Sequence, residues 1–232
     1  MTIADNLEHL HQQIHQACRR ANRSDSEVAL MAVSKVHPAE AILEAYAAGQ
    51  RLFGENRVQE FQEKSQHLVT LNDAEFHLIG PLQSNKTTRA AELFHAIDAV
   101  DSLKIAQRLD AAAKALGKTL PILVEVKLSH EESKHGLAPE ELPTLLAEIE
   151  SLESVQTVGL MTVPPWSDDA EFARPYFRDL RKLRDQSLAS FPKLTQLSMG
   201  MSNDFQVAIE EGSTCVRIGT SIFGKRIMAS AG

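Results

Sequence analysis

"VALMAVSKVHPAEAILEAYAAG" (residues 28–49) contains the unit that decides the fold. Its first part, "VALMAVS" (28–34), is apolar and rich in β-branched residues and reads as a buried strand. Its last part, "PAEAILEAYAAG" (38–49), reads as a helix, with Pro38 near the first turn and Gly49 as the stop. The same order repeats along the chain. Strand-like stretches fall at 51–56, 75–82, 96–101, 120–128, 155–163, 194–200 and 214–219. Helical stretches fall between them, at 57–68, 84–94, 102–117, 139–152, about 168–190 and 202–212. Within these, Ser84 and Ser202 are expected as N-caps and Gly212 as a stop. That makes eight strands, the last followed by only a short helix. Strands separated by helices pair in parallel through right-handed crossovers. Eight such units close into a single (β/α)8 TIM barrel, typically of about 250 residues. An open doubly wound sheet is the competing fold. The count of eight, and the lack of a GxGxxG after the first strand, favour the barrel. Ahead of the barrel, Ile3, Leu7, Leu10, Ile14 and Ala17 form an apolar stripe, which predicts an extra N-terminal helix within residues 1–22, packed on the barrel. No proline-rich or low-complexity linker divides the chain, so one domain over residues 1–232 is expected.

Composition narrows the function classes. Hydrophobic residues make up 43% of the 232, enough for a sizeable core. The net charge of -7 argues against a general nucleic-acid surface. No stretch reaches the roughly 18 uninterrupted apolar residues of a membrane span. The N-terminal sequence lacks the basic start and apolar run of a secretory signal. Cys18 and Cys215 lie far apart and form no CxxC pair, which argues against a disulfide framework or zinc site. His11 and His15 share an i, i+4 spacing, but they lie off the apolar stripe and have no evident third ligand, so a solvated face is expected there. "HEESKH" (130–135) lacks the HExxH spacing, and no P-loop or nucleophile elbow is present. The expectation is a soluble, reduced, cytoplasmic protein with no metal, nucleic-acid or membrane partner.

In such barrels the chemistry gathers where the strands end, because the βα loops converge there. Lys35 stands at the end of the first strand. The loops after strands seven and eight are the usual phosphate site of the fold. Here "SMGMSND" (198–204) and "GTSIFG" (219–224) supply Gly200, Ser202, Gly219, Thr220 and Ser221, small and hydroxyl residues suited to an anion. Simple capping is the plain alternative for each loop taken alone. Closure of the barrel sets strand one beside strand eight, and so sets Lys35 beside this cradle. An amine in a partly dry pocket loses proton affinity and forms Schiff bases with aldehydes. Phosphate anchor and amine together point to a phosphorylated aldehyde, with pyridoxal 5′-phosphate (PLP) the leading candidate. A plain solvated charge is the alternative for Lys35. Arg217 reaches the same place if its side chain points inward; facing a pyridine nitrogen, it would keep that nitrogen unprotonated. A rim ion pair is its alternative.

"MAVSKVHPAEAILEAYAAGQRLFGENRVQE", "FHLIGPLQSNK", "SKHGL", "GLMTVPPW" and "LSMGMSNDFQVAIEEGSTCVRIGTSIFG" together resemble the pyridoxal phosphate homeostasis protein family. These are small relatives of the N-terminal barrel of bacterial alanine racemase. The resemblance spans about residues 28–224. It implies a PLP Schiff base at Lys35 and ring contacts from Asn56 and Arg217. It implies phosphate contacts from Ser202, Gly219 and Thr220, with Ser198, and a pocket lined by Met199 and Met201. Lys134, in the family's loop of lysine and glycine, is either a second amine for PLP exchange or a solvated lysine. The implied function is that of a PLP carrier and regulator of free PLP, with transient hand-over to apo-enzymes. A PLP-dependent amino-acid racemase of weak activity is the alternative, and a barrel enzyme for a phosphorylated sugar is a third reading. A two-base racemase needs a tyrosine facing the lysine. Only Tyr46 and Tyr176 exist, both in helical stretches, and the chain stops about a dozen residues after strand eight, without the racemase's second domain. These points favour the carrier and a monomer.

Overall fold

The computed structural model describes residues 2–129, 131 and 135–224. Its centre is a closed barrel of parallel strands in the order β1 to β8. The strands are β1 (Ala29–Val33), β2 (Leu52–Glu55), β3 (Glu75–Leu78), β4 (Ala96–Val100), β5 (Leu120–Glu125), β6 (Val155–Met161), β7 (Gln196–Ser198) and β8 (Cys215–Ile218). β8 returns to pair with β1, with Ala29 opposite Cys215 and Ala32 opposite Ile218. The open doubly wound sheet is thereby excluded.

Side-chain alternation along each strand separates two environments. Leu30, Phe53, Phe76, Ile122, Leu197 and Val216 face outward and join the main core under the helices. The alternate positions face the barrel interior, where Ala99, Leu123 and Met161 form a separate small cluster. That interior also holds polar groups: His77 Nδ1 lies 3.0 Å from Asp98 Oδ1.

The surrounding helices are α2 (Ala39–Ala47), α3 (Val58–Ser65), α4 (Thr87–Leu93), α5 (Leu103–Ala115), α6 (Leu142–Glu150), α7 (Arg174–Ser187), α8 (Phe205–Glu210) and α9 (Thr220–Phe223). The extra helix is α1 (Ile3–Arg20). It opens on a capping box between Thr2 and Asp5 and buries Leu7, Leu10, Ile14 and Ala17. It packs against α2, α8 and α9.

Two local expectations change. α8 begins at Phe205, after Asp204, so Ser202 is not its cap. The chain first makes a turn: Asp204 Oδ1 accepts the Met201 amide at 2.6 Å, and the Met201 carbonyl accepts the amides of Asp204 and Phe205. Ser84 is not a side-chain cap either; it opens a 3-10 turn ahead of α4, and its carbonyl accepts from Thr87 and Arg108.

Candidate functional site

The C-terminal ends of the strands surround a cavity of about 560 Å³. That is the size of an ordinary small-molecule site. Lys35 enters it from the loop after β1, half-buried, and Asn56 from the loop after β2. Met201 and Ser202 enter after β7, Gly219 and Thr220 after β8, and Arg217 from β8 itself. The cavity thus gathers six of the predicted binding residues, together with Met201.

Each is placed by a local reason. β1 ends at Val33, and a turn closed by the His37 amide on the Ser34 carbonyl (3.1 Å) carries Lys35 over the barrel mouth. Gly80 lets Asn56 come close: a Cβ on residue 80 would lie 2.3 Å from the Asn56 carbonyl oxygen. Gly200, at φ 98, turns the chain out of β7, and a Cβ there would meet that of Ala208 at 2.6 Å. The turn before α8 leaves Ser202 at the cavity. In α9 the Ile222 and Phe223 amides donate to the Gly219 carbonyl at 2.9 and 3.0 Å, and the Thr220 and Ser221 amides precede these first helical bonds.

Arg217 lies at the cavity floor and is almost wholly buried. Its Nη1 donates to Ser198 Oγ at 2.7 Å and its Nη2 to the Thr162 carbonyl at 2.8 Å. Burial presses its pKa below the ordinary value, against the pull of Cys215, Asp98, Glu125 and Asp204. The group nonetheless stays a cation. Burial also pushes the Cys215 thiol up to about 12, which leaves it inert at neutral pH.

Two predicted residues stand elsewhere. Ser198 is fully buried and does not line the cavity; its hydroxyl holds the Arg217 guanidinium instead. Met199 points outward into the main core, one position out of phase with Ser198. Lys134 lies outside the described residues. Sequence reasoning passed over several cavity residues, among them a glutamate, an aspartate and a tryptophan. Glu125 ends β5, Asp204 precedes α8, and Trp166 stands at the rim, 73% exposed. Burial raises the Asp204 pKa above the usual carboxylate range, against its hydrogen bond from the Met201 amide. For Glu125 the period-2 alternation with outward Val124 was the available signal.

The donor set fits PLP. Lys35 offers an amine for the aldehyde. Ser202, Gly219 and Thr220 offer hydroxyl and backbone groups for the phosphate. Arg217 offers a fixed cation on the floor, and Val33, Ile79, Val163 and Met201 offer apolar walls for the ring. A second cavity, of about 450 Å³ between α1 and α8, shares Ser202 and Asn203 but has no amine along its lining.

Comparison with known proteins shows the family. Residues 6–226 match the family model "Alanine racemase, N-terminal domain". The chain is 44% identical to the pyridoxal phosphate homeostasis protein of Vibrio cholerae, over 97% of each chain. The structure of PipY from Synechococcus elongatus PCC7942 with PLP bound superposes with a TM-score of 0.85 at 42% identity, covering 96% of this chain and all of that one. Alanine racemase of Clostridium difficile 630 shares the fold alone, at 16% identity and a TM-score of 0.73, with 59% of its length matched. A barrel closed around a lysine-bearing cavity, joined to these likenesses over nearly its full length, makes the chain a member of the alanine racemase N-terminal domain family, among its pyridoxal phosphate homeostasis proteins.

Proposed function

We propose that this chain binds PLP and regulates its free concentration, taking the cofactor up and giving it back. The observation that carries the reading is the single cavity that sets the Lys35 amine beside the loops after β7 and β8. The relatives' names, and the PLP bound to PipY, support it. Lys35 is the covalent anchor: its nitrogen bonds the aldehyde carbon, and the aldehyde oxygen leaves as water. Ser202, Gly219 and Thr220 hold the phosphate, and Asn56 and Arg217 contact the ring. Bound PLP supplies an electrophilic, electron-withdrawing ring, and a guanidinium beside the ring nitrogen keeps that nitrogen unprotonated and the ring a weak electron sink. Ser198 supports the site by fixing Arg217.

Uptake and release agree better with this cavity than two-base proton transfer does. Tyr46 lies on α2 and bonds Asp73, Tyr176 lies on α7, and neither lines the cavity. The same reading has the protein act as a cytoplasmic monomer that passes PLP to apo-enzymes. Among the described residues no helix is long and apolar enough to cross a membrane.

The test is direct. Wild type turns yellow with PLP, and borohydride fixes the adduct on the peptide carrying Lys35. Trp166, the sole tryptophan, loses emission as PLP arrives. Lys35→Ala removes the visible band. An adduct on another lysine, with Lys35→Ala still yellow, would refute the assignment. Transfer to an apo-enzyme in the presence of a trap for free PLP then tests hand-over.

A further inference from the structure

We infer that Glu60 and Lys64 of α3, joined through Glu55 of β2, are positioning residues that aim the Lys35 side chain into the cavity. The inference rests on the reading of Lys35 as the cofactor's amine.

Lys35 is flanked by two residues, and both are tied to one buried cluster. On one side, the Ser34 hydroxyl donates to Glu55 Oε1 at 2.8 Å, and the Ser34 carbonyl accepts from Lys64 Nζ at 2.9 Å. On the other, the Val36 amide donates to Glu60 Oε1 at 2.5 Å. Lys64 Nζ joins the halves, 2.9 Å from Glu55 Oε1 and 2.7 Å from Glu60 Oε1. Its three N–H donors thus meet two carboxylates and one carbonyl. Glu55 is wholly buried and Lys64 nearly so.

Val36 shows what this cluster holds. Its φ is 61°, left-handed backbone that a β-branched residue rarely adopts. It occupies the third position of the Ser34–His37 turn, where a positive φ ordinarily calls for glycine. Its side chain is more than half exposed, so burial does not explain the conformation. The Glu60 carboxylate does, by fixing the amide of that same residue. If Val36 relaxed to a negative φ, the turn would rotate and carry the Lys35 Cα–Cβ bond with it. A cluster that only stapled α3 to the barrel would have no reason to grip both neighbours of the amine.

The experiment is a double-mutant cycle on the full chain. It compares Glu60→Ala with wild type in the Val36 and the Val36→Gly backgrounds. The readouts are the rate of PLP capture by absorbance, the site of the borohydride-fixed adduct, and the melting midpoint without PLP. Glu60→Ala is expected to slow capture about tenfold or more in the Val36 background, as small misplacements of reacting groups do. In the Val36→Gly background the same change costs far less, because glycine takes the positive φ unaided. Glu60→Gln, which keeps an oxygen for the Val36 amide, stays close to wild type. Equal slowing in both backgrounds, or none in either, overturns the inference and leaves the cofactor reading intact. No wild-type adduct at Lys35 sinks both. Should Glu60→Ala fail to fold, Glu60→Met fills the volume without an acceptor and serves the same comparison.

Discussion

Gly80 has room for a hydrogen and nothing more. A methyl group there would overlap the backbone of Asn56, at 2.3 Å from its oxygen and 2.9 Å from its Cα. Backbone cannot swing aside as a side-chain tip does. Gly80→Ala therefore shifts the loop that carries Asn56, at a cost of about 1–3 kcal/mol, by analogy with overpacked cores. Urea unfolding measures the cost, and PLP titration shows a weakened site in protein that is still folded. At this scale much of the cavity was legible. Lys35, Asn56, Ser202, Arg217, Gly219 and Thr220 follow from locating the strand ends, since convergence of the loops does the rest. Met199 was misplaced because adjacent residues on a strand point to opposite faces and the inward phase was not assigned. Ser198 does point inward, but its hydroxyl is taken up by the Arg217 guanidinium and it is buried away from the cavity. Glu55 hides for a related reason: it sits between Gly54 and Asn56 at the barrel mouth, yet turns outward to Lys64. Only the packing of α3 against β2 reveals that.

Helices α7, α8 and α1 are laced together by charge. Glu211 is buried and accepts from Arg174 at 3.0 Å and Arg178 at 3.1 Å, with Arg181 at 3.6 Å. Glu210 joins Arg174 to Arg20 of α1. Burial alone would raise the Glu211 pKa, but the hydrogen bonds from Arg178 and Arg174 outweigh it and hold it below its ordinary 4.5. A depressed folded-state pKa gives stability that is present above 4.5 and is lost as pH falls through the folded value. Glu211→Gln is expected to cost about 1–3 kcal/mol at neutral pH. It also flattens the fall in urea midpoint between neutral pH and pH about 3, since one linked proton is gone. A fall as steep as wild type's would contradict this. The sequence showed these elements through periodicity but blurred their ends. β7 is ladder-paired only over Gln196–Ser198, although apolar residues run on to either side. The start of α8 was set by the Asp204 turn, a tertiary detail that the Ser202 signal could not compete with.

At the scale of the molecule, periodicity carried the fold: alternation of strand and helix, counted to eight, leaves closure as the economical arrangement, and closure joins β1 to β8. The proposed site straddles that seam, with Lys35 on one side and Arg217, Gly219 and Thr220 on the other. Contacts this distant in sequence form slowly, since loop-closure entropy must be overcome first. In refolding from urea with PLP present, helical circular dichroism is expected to recover ahead of the quenching of Trp166 emission and the visible band. Simultaneous recovery of all three signals would show that the seam forms with the rest. For a chain emerging from the ribosome, the β1–β8 seam has a practical meaning. On the proposed site the lysine is translated early and its neighbours last, so a nascent or truncated barrel is expected not to sequester vitamin B6, and cofactor capture would double as a certificate that synthesis has run through the eighth strand.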